Sequence, residues 1–255
     1  MFRYVFYQLD LLSRLRTSGA VMAALNSIPP MLNQTYERLL FCIGGEEDRR
    51  LAREILEMLA FSFRPLKLRE ICEMLQLRPG LSTLDESKRL TDPGDVLGIC
   101  GSYLRYQKEN DTVTLAHHSV KTYLTSELPE RVNYFRLSEL DAHRNLATKC
   151  LAYLSLDAFS SGPCNSLQKF GERLNRYPLL QYAGEHWALH TKALEKHGHH
   201  ELGEPLCSLL GFSSSATTLV AETSSPGCRC SYPHRRTSEE LVHYTTPPPS
   251  DGRQW

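Results

Sequence analysis

His117, His118 and Ser119 carry the side chains from which a hydrolase could build a nucleophile and its base. A nucleophilic serine needs a base within hydrogen-bonding distance, and that base needs a third group to orient it. Adjacent residues of a strand point to opposite faces of a sheet, and no acidic residue lies nearby in the sequence to complete the relay. We therefore predict that Ser119 caps a helix. A hydrolase that uses His118 and Ser119 is the alternative hypothesis.

His186 and His190 are the second candidate pair, because they stand four residues apart on a predicted helix, a spacing that suits metal ligands. The stretch reads EHWALH, however, and lacks the HExxH order of a zinc protease. His190 also shares a helical face with Trp187, which predicts a packed histidine. A metal-dependent enzyme that uses His186 and His190 stays open as an alternative. Looser potential ligands follow in the sequence: His197, His199, His200, Cys228, Cys230 and His234.

The chain lacks the sequence signature of a phosphate-binding loop. It has no GxxxxGK[ST] stretch and no Gly-Lys pair. Without the backbone amides of such a loop, the usual cradle for ATP or GTP is missing. The loose Cys and His residues match no common zinc module either. We therefore predict no bound nucleotide, no metal and no other cofactor.

The elements that must position these residues follow from hydrophobic periodicity. Three helices are predicted from residue 46 onward, each with an apolar stripe at helical spacing. Asp92 is the expected N-cap of the third helix, with Pro93 at its first position. The expected buried residues are Ala52, Ile55, Leu56 and Leu59 in the first helix, Leu68, Ile71, Cys72 and Leu75 in the second, and Val96, Leu97 and Cys100 in the third.

A β-hairpin is predicted next, because the β-rich runs SYLRYQ and TVTLAHH are joined by the polar turn KEND. Ser119 then begins a closing helix. We expect Leu115, Val120 and Leu124 to be buried where the hairpin and this helix meet the helical core. Three helices, a hairpin and a closing helix are the order of a winged-helix domain, which we assign to residues 46–130.

The predicted fold class is mainly α, with helical segments that flank a winged-helix domain and its one small β-hairpin wing. Residues 1–45 are predicted to be a helical segment, and residues 131–200 a helical extension with apolar stripes over 147–154 and 180–194. Residues 201–255 are rich in Ser, Thr and Pro and are predicted to be a disordered tail. A first helix that begins at residue 2 without a capping residue suggests that the chain begins part-way through a larger protein.

Charge and composition narrow the class of partner. The formal net charge is zero, and the predicted third helix, residues 92–100, carries two aspartates and neither Lys nor Arg. Reading DNA needs base-edge donors and positive charge, so we expect no nucleic-acid partner. No apolar run is long enough to span a bilayer, and we expect no membrane partner. Scattered cysteines among apolar neighbours indicate reduced thiols, so an intracellular, cytoplasmic location is expected.

Five stretches of the sequence, in this order and spacing, resemble the region after the NACHT module in fungal NLR-like proteins. They read SIPPMLNQTYERLL, ILEMLAFSFRPLKLREICEML, DVLGICGSYL, VTLAHHSVKTYLTS and YPLLQYAGEHWALH. Such proteins are STAND-class NTPases, and many end in ankyrin repeats. The middle part resembles the winged-helix domain named after GPI inositol-deacylase. The resemblance runs from residue 1 to about residue 195.

This resemblance implies a non-enzymatic, regulatory or scaffolding segment that acts through protein–protein or intramolecular contacts. Its partners would be an upstream nucleotide-binding module and downstream repeats of a full-length protein. In such proteins the winged helix packs against the nucleotide-binding module and helps to hold a closed, inactive state. This sequence contains no T-P-L-H-x-A ankyrin pattern, so it resembles a middle fragment of that architecture.

Overall fold

The computed structural model describes residues 12–13, 15–26, 32–78, 80–84, 90 and 92–195. The chain divides into two compact units, Met1–Leu77 with Asp85–Ala142 and Arg78–Leu84 with His143–Trp255. Three predictions lie outside the described residues: the helix that begins at residue 2, the disordered tail 201–255, and the loose ligands from His197 onward.

Three helices open the described part of the first unit: α1 (Ser18–Asn26), α2 (Leu32–Phe41) and α3 (Glu46–Phe61). Acidic residues occupy the first turn of α3, where the positive end of the helix dipole favours them. The predicted buried stripe of α3 is confirmed in full at Ala52, Ile55, Leu56 and Leu59. Residues 55–61 of α3 are all buried, so the 3.6-residue stripe marks only part of its buried surface.

Strand β1 (Leu66–Lys67) leads directly into α4 (Leu68–Gln76). The Lys67 backbone N–H donates to Glu70 Oε2 at 2.7 Å, and the Arg64 guanidinium donates to both carboxylate oxygens of Glu70, at 2.7 and 2.9 Å. Glu70 is 1% exposed, so a buried, fully engaged carboxylate fixes the chain where strand becomes helix. The predicted buried face of α4 is confirmed at Leu68, Ile71, Cys72 and Leu75.

The third helix of this domain begins later than predicted. Helix α5 spans Asp95–Cys100, and its N-cap is Gly94, which makes no side-chain capping bond. Asp92, the predicted cap, lies two residues ahead of this N-cap and still makes the expected capping bond. Its Oδ1 accepts the Gly94 N–H at 2.8 Å and its carbonyl accepts the Asp95 N–H at 3.0 Å, which closes the turn that leads into the helix. Leu97 is half-buried, whereas the other predicted core residues of α5 are buried.

Strand β1 and two strands that follow α5 form a three-stranded antiparallel sheet in the order β1–β3–β2. Strands β2 (Leu104–Gln107) and β3 (Thr112–Leu115) form the predicted hairpin, and β1 pairs with the free side of β3, where Leu66 lies opposite Val113. Val113 is completely buried, but Leu115 is only half-buried, against the prediction. The third strand was not predicted, because two residues are too few to display alternation.

Helix α6 (His118–Leu124) closes the domain after β3, and a short 3-10 helix, Glu130–Phe135, follows it. Val120 and Leu124 are completely buried, as predicted. The Leu137 N–H donates to the Leu124 carbonyl at 2.8 Å, so the chain beyond the 3-10 helix returns to the end of α6. The closing helix is therefore held at its last turn by both packing and a backbone hydrogen bond.

The second unit is helical and contains most of α7 (Glu139–Leu154), with α8 (Leu167–Arg176) and α9 (Leu180–Glu195). The rings of Tyr153 and Tyr177 both contact Phe159, at centroid distances of 5.6 and 5.0 Å. Helix α8 was not predicted, and none of its residues is buried. The predicted stripes are confirmed by the burial of Ala147, Cys150, Leu151, Leu154, Leu180, Ala183, Trp187, His190 and Leu194.

The predicted fold class, mainly α with one small hairpin-based sheet, is confirmed by this element order. The sheet contains one strand more than the hairpin that was expected. The domain boundaries after residues 45, 130 and 200 stay predictions.

Candidate functional site

The corner between β3 and α6 holds the first candidate residues. His117 has an extended backbone, with φ −161° and ψ 154°, and it is the N-cap of α6: its Nδ1 accepts the backbone N–H of Ser119 at 3.2 Å. The prediction that Ser119 is the cap is therefore wrong. Serine is the commoner capping residue, but an N-cap has a non-helical backbone, and the last residue with an extended backbone before the helix is His117.

Ser119 lies between two side chains of the corner. Its Oγ is 2.7 Å from His117 Nδ1 and 2.8 Å from the Tyr36 hydroxyl. Tyr36 in α2 is completely buried, and its carbonyl accepts a hydrogen bond from the Tyr103 hydroxyl. One continuous polar network therefore joins α2, the 3-10 helix Gly101–Tyr103 and the first turn of α6.

A serine and a histidine are thus within hydrogen-bonding distance, which the alternation argument had excluded. Alternation does not apply here because β3 ends at Leu115 and α6 begins at His118, so His117 and Ser119 are not neighbours on one strand. The histidine in contact with Ser119 is His117, whereas the exposed His118 ring is tilted against His117 at a centroid distance of 4.0 Å. The pairing of His118 with Ser119 named in the hydrolase hypothesis is therefore replaced by His117 with Ser119.

The hydrogen bonds already made at this corner limit the reactions that its side chains could catalyse. The His117 Nδ1 that faces Ser119 Oγ also accepts the Ser119 backbone N–H, so its lone pair serves the helix cap. On its other side, Ser119 Oγ meets a phenol that is completely buried in protein. A nucleophile needs a base whose lone pair is free for its proton and an open side for the substrate. The arrangement fits a structural junction better than it fits an acyl-transfer site.

His190, in the second unit, engages both of its ring nitrogens. Its Nδ1 lies 2.9 Å from His143 Nδ1, and its Nε2 lies 2.9 Å from the Tyr182 hydroxyl. His190 is completely buried, and burial lowers its pKa to about 3, with a smaller contribution from the neighbouring His143. The ring is therefore neutral at physiological pH.

His186 does not converge with His190 on a shared ligand position. Its ring stacks on the Tyr182 ring at a centroid distance of 4.5 Å, and its Nδ1 lies 3.2 Å from the Tyr182 carbonyl. Within the part of the chain that the structure describes, no group of three or more His, Cys, Asp or Glu residues could hold a metal ion. Sequence reasoning missed His143 and Tyr182; the four-residue spacing of Tyr182, His186 and His190 was an available signal for Tyr182 alone.

A surface of the first unit that sequence reasoning also missed combines aromatic and arginine side chains. Phe41 at the end of α2 is 56% exposed, and the Arg131 guanidinium lies 5.6 Å from its ring centre. Tyr134 is 54% exposed, and the Arg53 guanidinium lies 5.9 Å from its ring while Arg53 Nε donates to the Tyr134 carbonyl at 3.0 Å. We call these four residues the aromatic–arginine surface. Three elements contribute to it, so no single stretch of sequence displays it.

Arg131 is fixed on this surface by a second contact. Its Nε donates to Glu37 Oε1 of α2 at 2.7 Å, which spans 94 residues of sequence. The guanidinium is therefore oriented before any partner binds, and less side-chain freedom would be lost on binding.

Residues 37–138 match the protein family described as the GPI inositol-deacylase winged helix domain. Over these residues the chain is similar to the winged-helix domain of that family. The description names a type of domain, and it assigns no deacylase activity to the chain. The match confirms the resemblance stated from the sequence, and it covers the α3, α4 and α5 helices, the sheet and the closing helix α6.

Two curated fungal proteins are similar to the chain. Azaphilone pigments biosynthesis cluster protein L of Monascus ruber is 30% identical over 175 residues, which are 65% of this chain and 36% of that protein. Vegetative incompatibility protein HET-E-1 of Podospora anserina is 28% identical over 113 residues, 44% of this chain and 8% of that protein. The chain thus spans about a third or less of the length of these relatives. No solved structure matches it significantly.

The family match and the two fungal relatives agree with the resemblance to the winged-helix region of fungal NLR-like proteins. Among the helices of the described residues, none has the length and apolar character that crossing a membrane requires.

Proposed function

We propose that the chain is a non-enzymatic regulatory segment that acts through protein–protein or intramolecular contacts. A winged helix of the NACHT-associated type supports a regulatory role. The observation that carries the proposal is that the candidate catalytic side chains serve the fold itself. His117 caps α6, Ser119 joins it to Tyr36, and His190 is bonded at both ring nitrogens.

A hydrolase or a metal enzyme is the alternative function. A hydrolase would now use His117 with Ser119, and a metal enzyme would use His186 and His190. Two assays on the purified chain separate these functions from the proposal: hydrolysis of activated esters, and measurement of bound zinc by mass spectrometry. Ester hydrolysis that disappears in Ser119→Ala, or one zinc ion per chain, would refute the non-enzymatic proposal.

Duplex DNA is a second alternative partner, since some winged helices read the major groove. Helix α5 contributes Asp95 in its first turn and no cation within Asp95–Cys100. In the wing, the Tyr106 hydroxyl is committed to Asp111 at 2.9 Å. We expect no salt-dependent binding to a duplex at physiological ionic strength.

The partner that we propose is a NACHT nucleotide-binding module, which the aromatic–arginine surface would contact. Tyr and Arg are enriched among the residues that contribute most to protein interfaces, and Phe41 and Tyr134 each expose more than half of their surface here. The surface is also pre-oriented, because Arg131 is bound to Glu37 and Arg53 to the Tyr134 carbonyl. Repeats of a full-length protein are a further proposed partner.

Isothermal calorimetry of the purified chain with a separately purified fungal NACHT module that carries a P-loop tests this partner. We expect saturable binding that Tyr134→Ala weakens by roughly tenfold or more, the loss typical of a central interface aromatic. Leu167→Ala is the matched control, because Leu167 is an 83% exposed apolar residue of the second unit. Absence of binding, or equal weakening by both variants, would contradict the proposed contact.

A further inference from the structure

We propose that His117 makes the closing helix α6 acid-sensitive, because its neutral imidazole caps the helix and its protonated imidazole cannot. The inference concerns a response of the winged-helix domain to pH, and it is independent of the proposed partner.

The hydrogen bonds of the corner define the protonation state of His117. A backbone N–H can only donate, so the Nδ1 that accepts the Ser119 N–H at 3.2 Å must be unprotonated. The ring proton of the neutral imidazole is then on Nε2. Ser119 Oγ lies 2.7 Å from the same Nδ1 and 2.8 Å from the Tyr36 hydroxyl, which is its second partner.

Protonation of His117 changes this arrangement at one atom. The imidazolium has two N–H donors and no acceptor, so the Ser119 backbone N–H loses its capping partner. The Ser119 hydroxyl can rotate and accept from the new Nδ1–H, but a backbone N–H cannot reverse its role. The new positive charge also lies at the N-terminus of α6, where the helix dipole opposes it. Both effects weaken the first turn of the helix.

Titratable groups of three elements lie near His117. The His118 ring of α6 lies at a centroid distance of 4.0 Å from it, tilted by 41°. From α2, the Tyr36 phenol reaches it through Ser119, and behind that phenol Tyr103 of the 3-10 helix is bonded to the Tyr36 carbonyl. Lys121, one turn further along α6, has its ammonium over the Phe61 ring of α3 at 4.2 Å. A second imidazole and, through Ser119, the Tyr36 phenol therefore adjoin the cap.

Loss of the His117 cap would affect a large part of helix α6. Helix α6 has only seven residues, so one turn is about half of it, and short helices have little stability of their own. Its first turn is also where the network reaches α2. In the unfolded chain, histidine takes up a proton near its ordinary pKa of ~6.5. The stability that comes from the neutral cap is therefore complete above that pH and is lost as the pH falls below it.

Hydrogen exchange of the full chain at pH 7.5 and pH 5.5 tests the inference at the affected atom. Protection factors, which are corrected for the intrinsic pH dependence of exchange, are measured for the amides of Ser119 and Val120. We expect the wild-type protection of the Ser119 amide to fall several-fold at pH 5.5. His117→Asn keeps a side-chain acceptor that does not titrate, and Asn is a good capping residue, so its protection should not change between the two values.

Two further variants keep the test decisive. His117→Asp, whose carboxylate still accepts at pH 5.5, should also abolish the change, and it replaces the Asn variant if that protein does not fold. His118→Asn is the matched control and should retain the acid-induced loss. Equal wild-type protection at both pH values, or an acid-induced loss that persists in His117→Asn and His117→Asp, would overturn the inference.

Discussion

The Nδ1 atoms of His143 in α7 and His190 in α9 lie 2.9 Å apart in the interior of the second unit. Two imidazole nitrogens at this distance share a single proton, so the two rings must be in different hydrogen-bonding roles. His190 is completely buried and His143 is 5% exposed. A pair of this kind is compatible with the fold only while it carries little or no net charge, because an isolated buried charge is costly.

This pair predicts how stability depends on pH. The pKa of folded His190 is lowered to about 3 by burial, whereas an unfolded histidine titrates at ~6.5. Between these values the unfolded chain binds more protons, so the free energy of unfolding should decrease on acidification from about pH 6.5 toward pH 3. The slope from one such group approaches ~1.4 kcal/mol per pH unit. Urea unfolding between pH 4.5 and 7.5, followed by circular dichroism, measures it.

The variant His190→Phe removes this titration while it keeps a ring of similar size. We expect the slope of its free energy of unfolding against pH to be smaller in the same range, by the contribution of about one proton. His118→Asn removes an exposed histidine and should keep the wild-type slope. Identical slopes in the wild type and His190→Phe would show that the buried pair does not control the acid response.

A double-mutant cycle on Ser119 and Tyr36 tests the junction at the corner. Ser119→Ala should cost about 1–3 kcal/mol, because the completely buried Tyr36 hydroxyl would lose the Ser119 Oγ that it contacts at 2.8 Å. Combined with Tyr36→Phe, the loss should be less than the sum of the two single losses, since both polar partners are then absent. Chemical denaturation of the four proteins measures the coupling. Strict additivity would mean that the contact contributes nothing.

Tyr123 in α6 differs from Tyr36 in the hydrogen bonding of its hydroxyl. Its side chain is buried, its ring is 5.3 Å from that of Tyr36, and no described group accepts or donates a hydrogen bond at its hydroxyl. Burial raises the pKa of Tyr123 to about 12. Because an unsatisfied buried hydroxyl is unfavourable, Tyr123→Phe should be neutral or stabilising by up to about 1 kcal/mol. A loss comparable to that of Tyr36→Phe would indicate a partner at this hydroxyl.

Sequence patterns predicted the structural features that depend on a single helix or strand. The burial of Ala52, Ile55 and Leu59 in α3 follows from their helical spacing. The burial of the remaining residues of 55–61 depends on neighbouring elements that this spacing does not show. Strand β1 could not be found in this way, since its two residues form a strand only through their pairing with Val113. The pattern of a lone element contains no information about such a partner.

The errors at the candidate sites have the same origin. Ser119 has the best capping side chain in its stretch, but the residue with an extended backbone directly before the first helical residue, His118, is His117. The contact between His143 and His190 joins residues 47 positions apart on two helices. Helical spacing predicted correctly that His190 is packed. It could not predict which residue would meet its ring.

The absence of a phosphate-binding loop from the sequence gives a prediction for nucleotide. Isothermal calorimetry of the chain with Mg-ATP should detect no saturable binding at millimolar concentration, because the chain lacks the Gly-Lys signature that places backbone amides around the phosphates. A P-loop module of another protein, titrated in the same way, is the positive control. Saturable binding to this chain would mean that residues outside that signature form a nucleotide site.

Leu124 and His118, at opposite ends of α6, test whether the corner acts through packing or through chemistry. Leu124 is completely buried, so Leu124→Ala should cost about 2–5 kcal/mol, from lost burial and from the cavity that remains. His118 is exposed, and His118→Ala should change stability by no more than about 0.5 kcal/mol at neutral pH. His117→Ala should lie between them, at about 1 kcal/mol, because it removes the helix cap. Thermal and urea unfolding of the three variants at pH 7.5 give this order directly. A neutral Leu124→Ala beside a damaging His118→Ala would reverse it, and α6 would then have to be interpreted as a carrier of an exposed functional histidine.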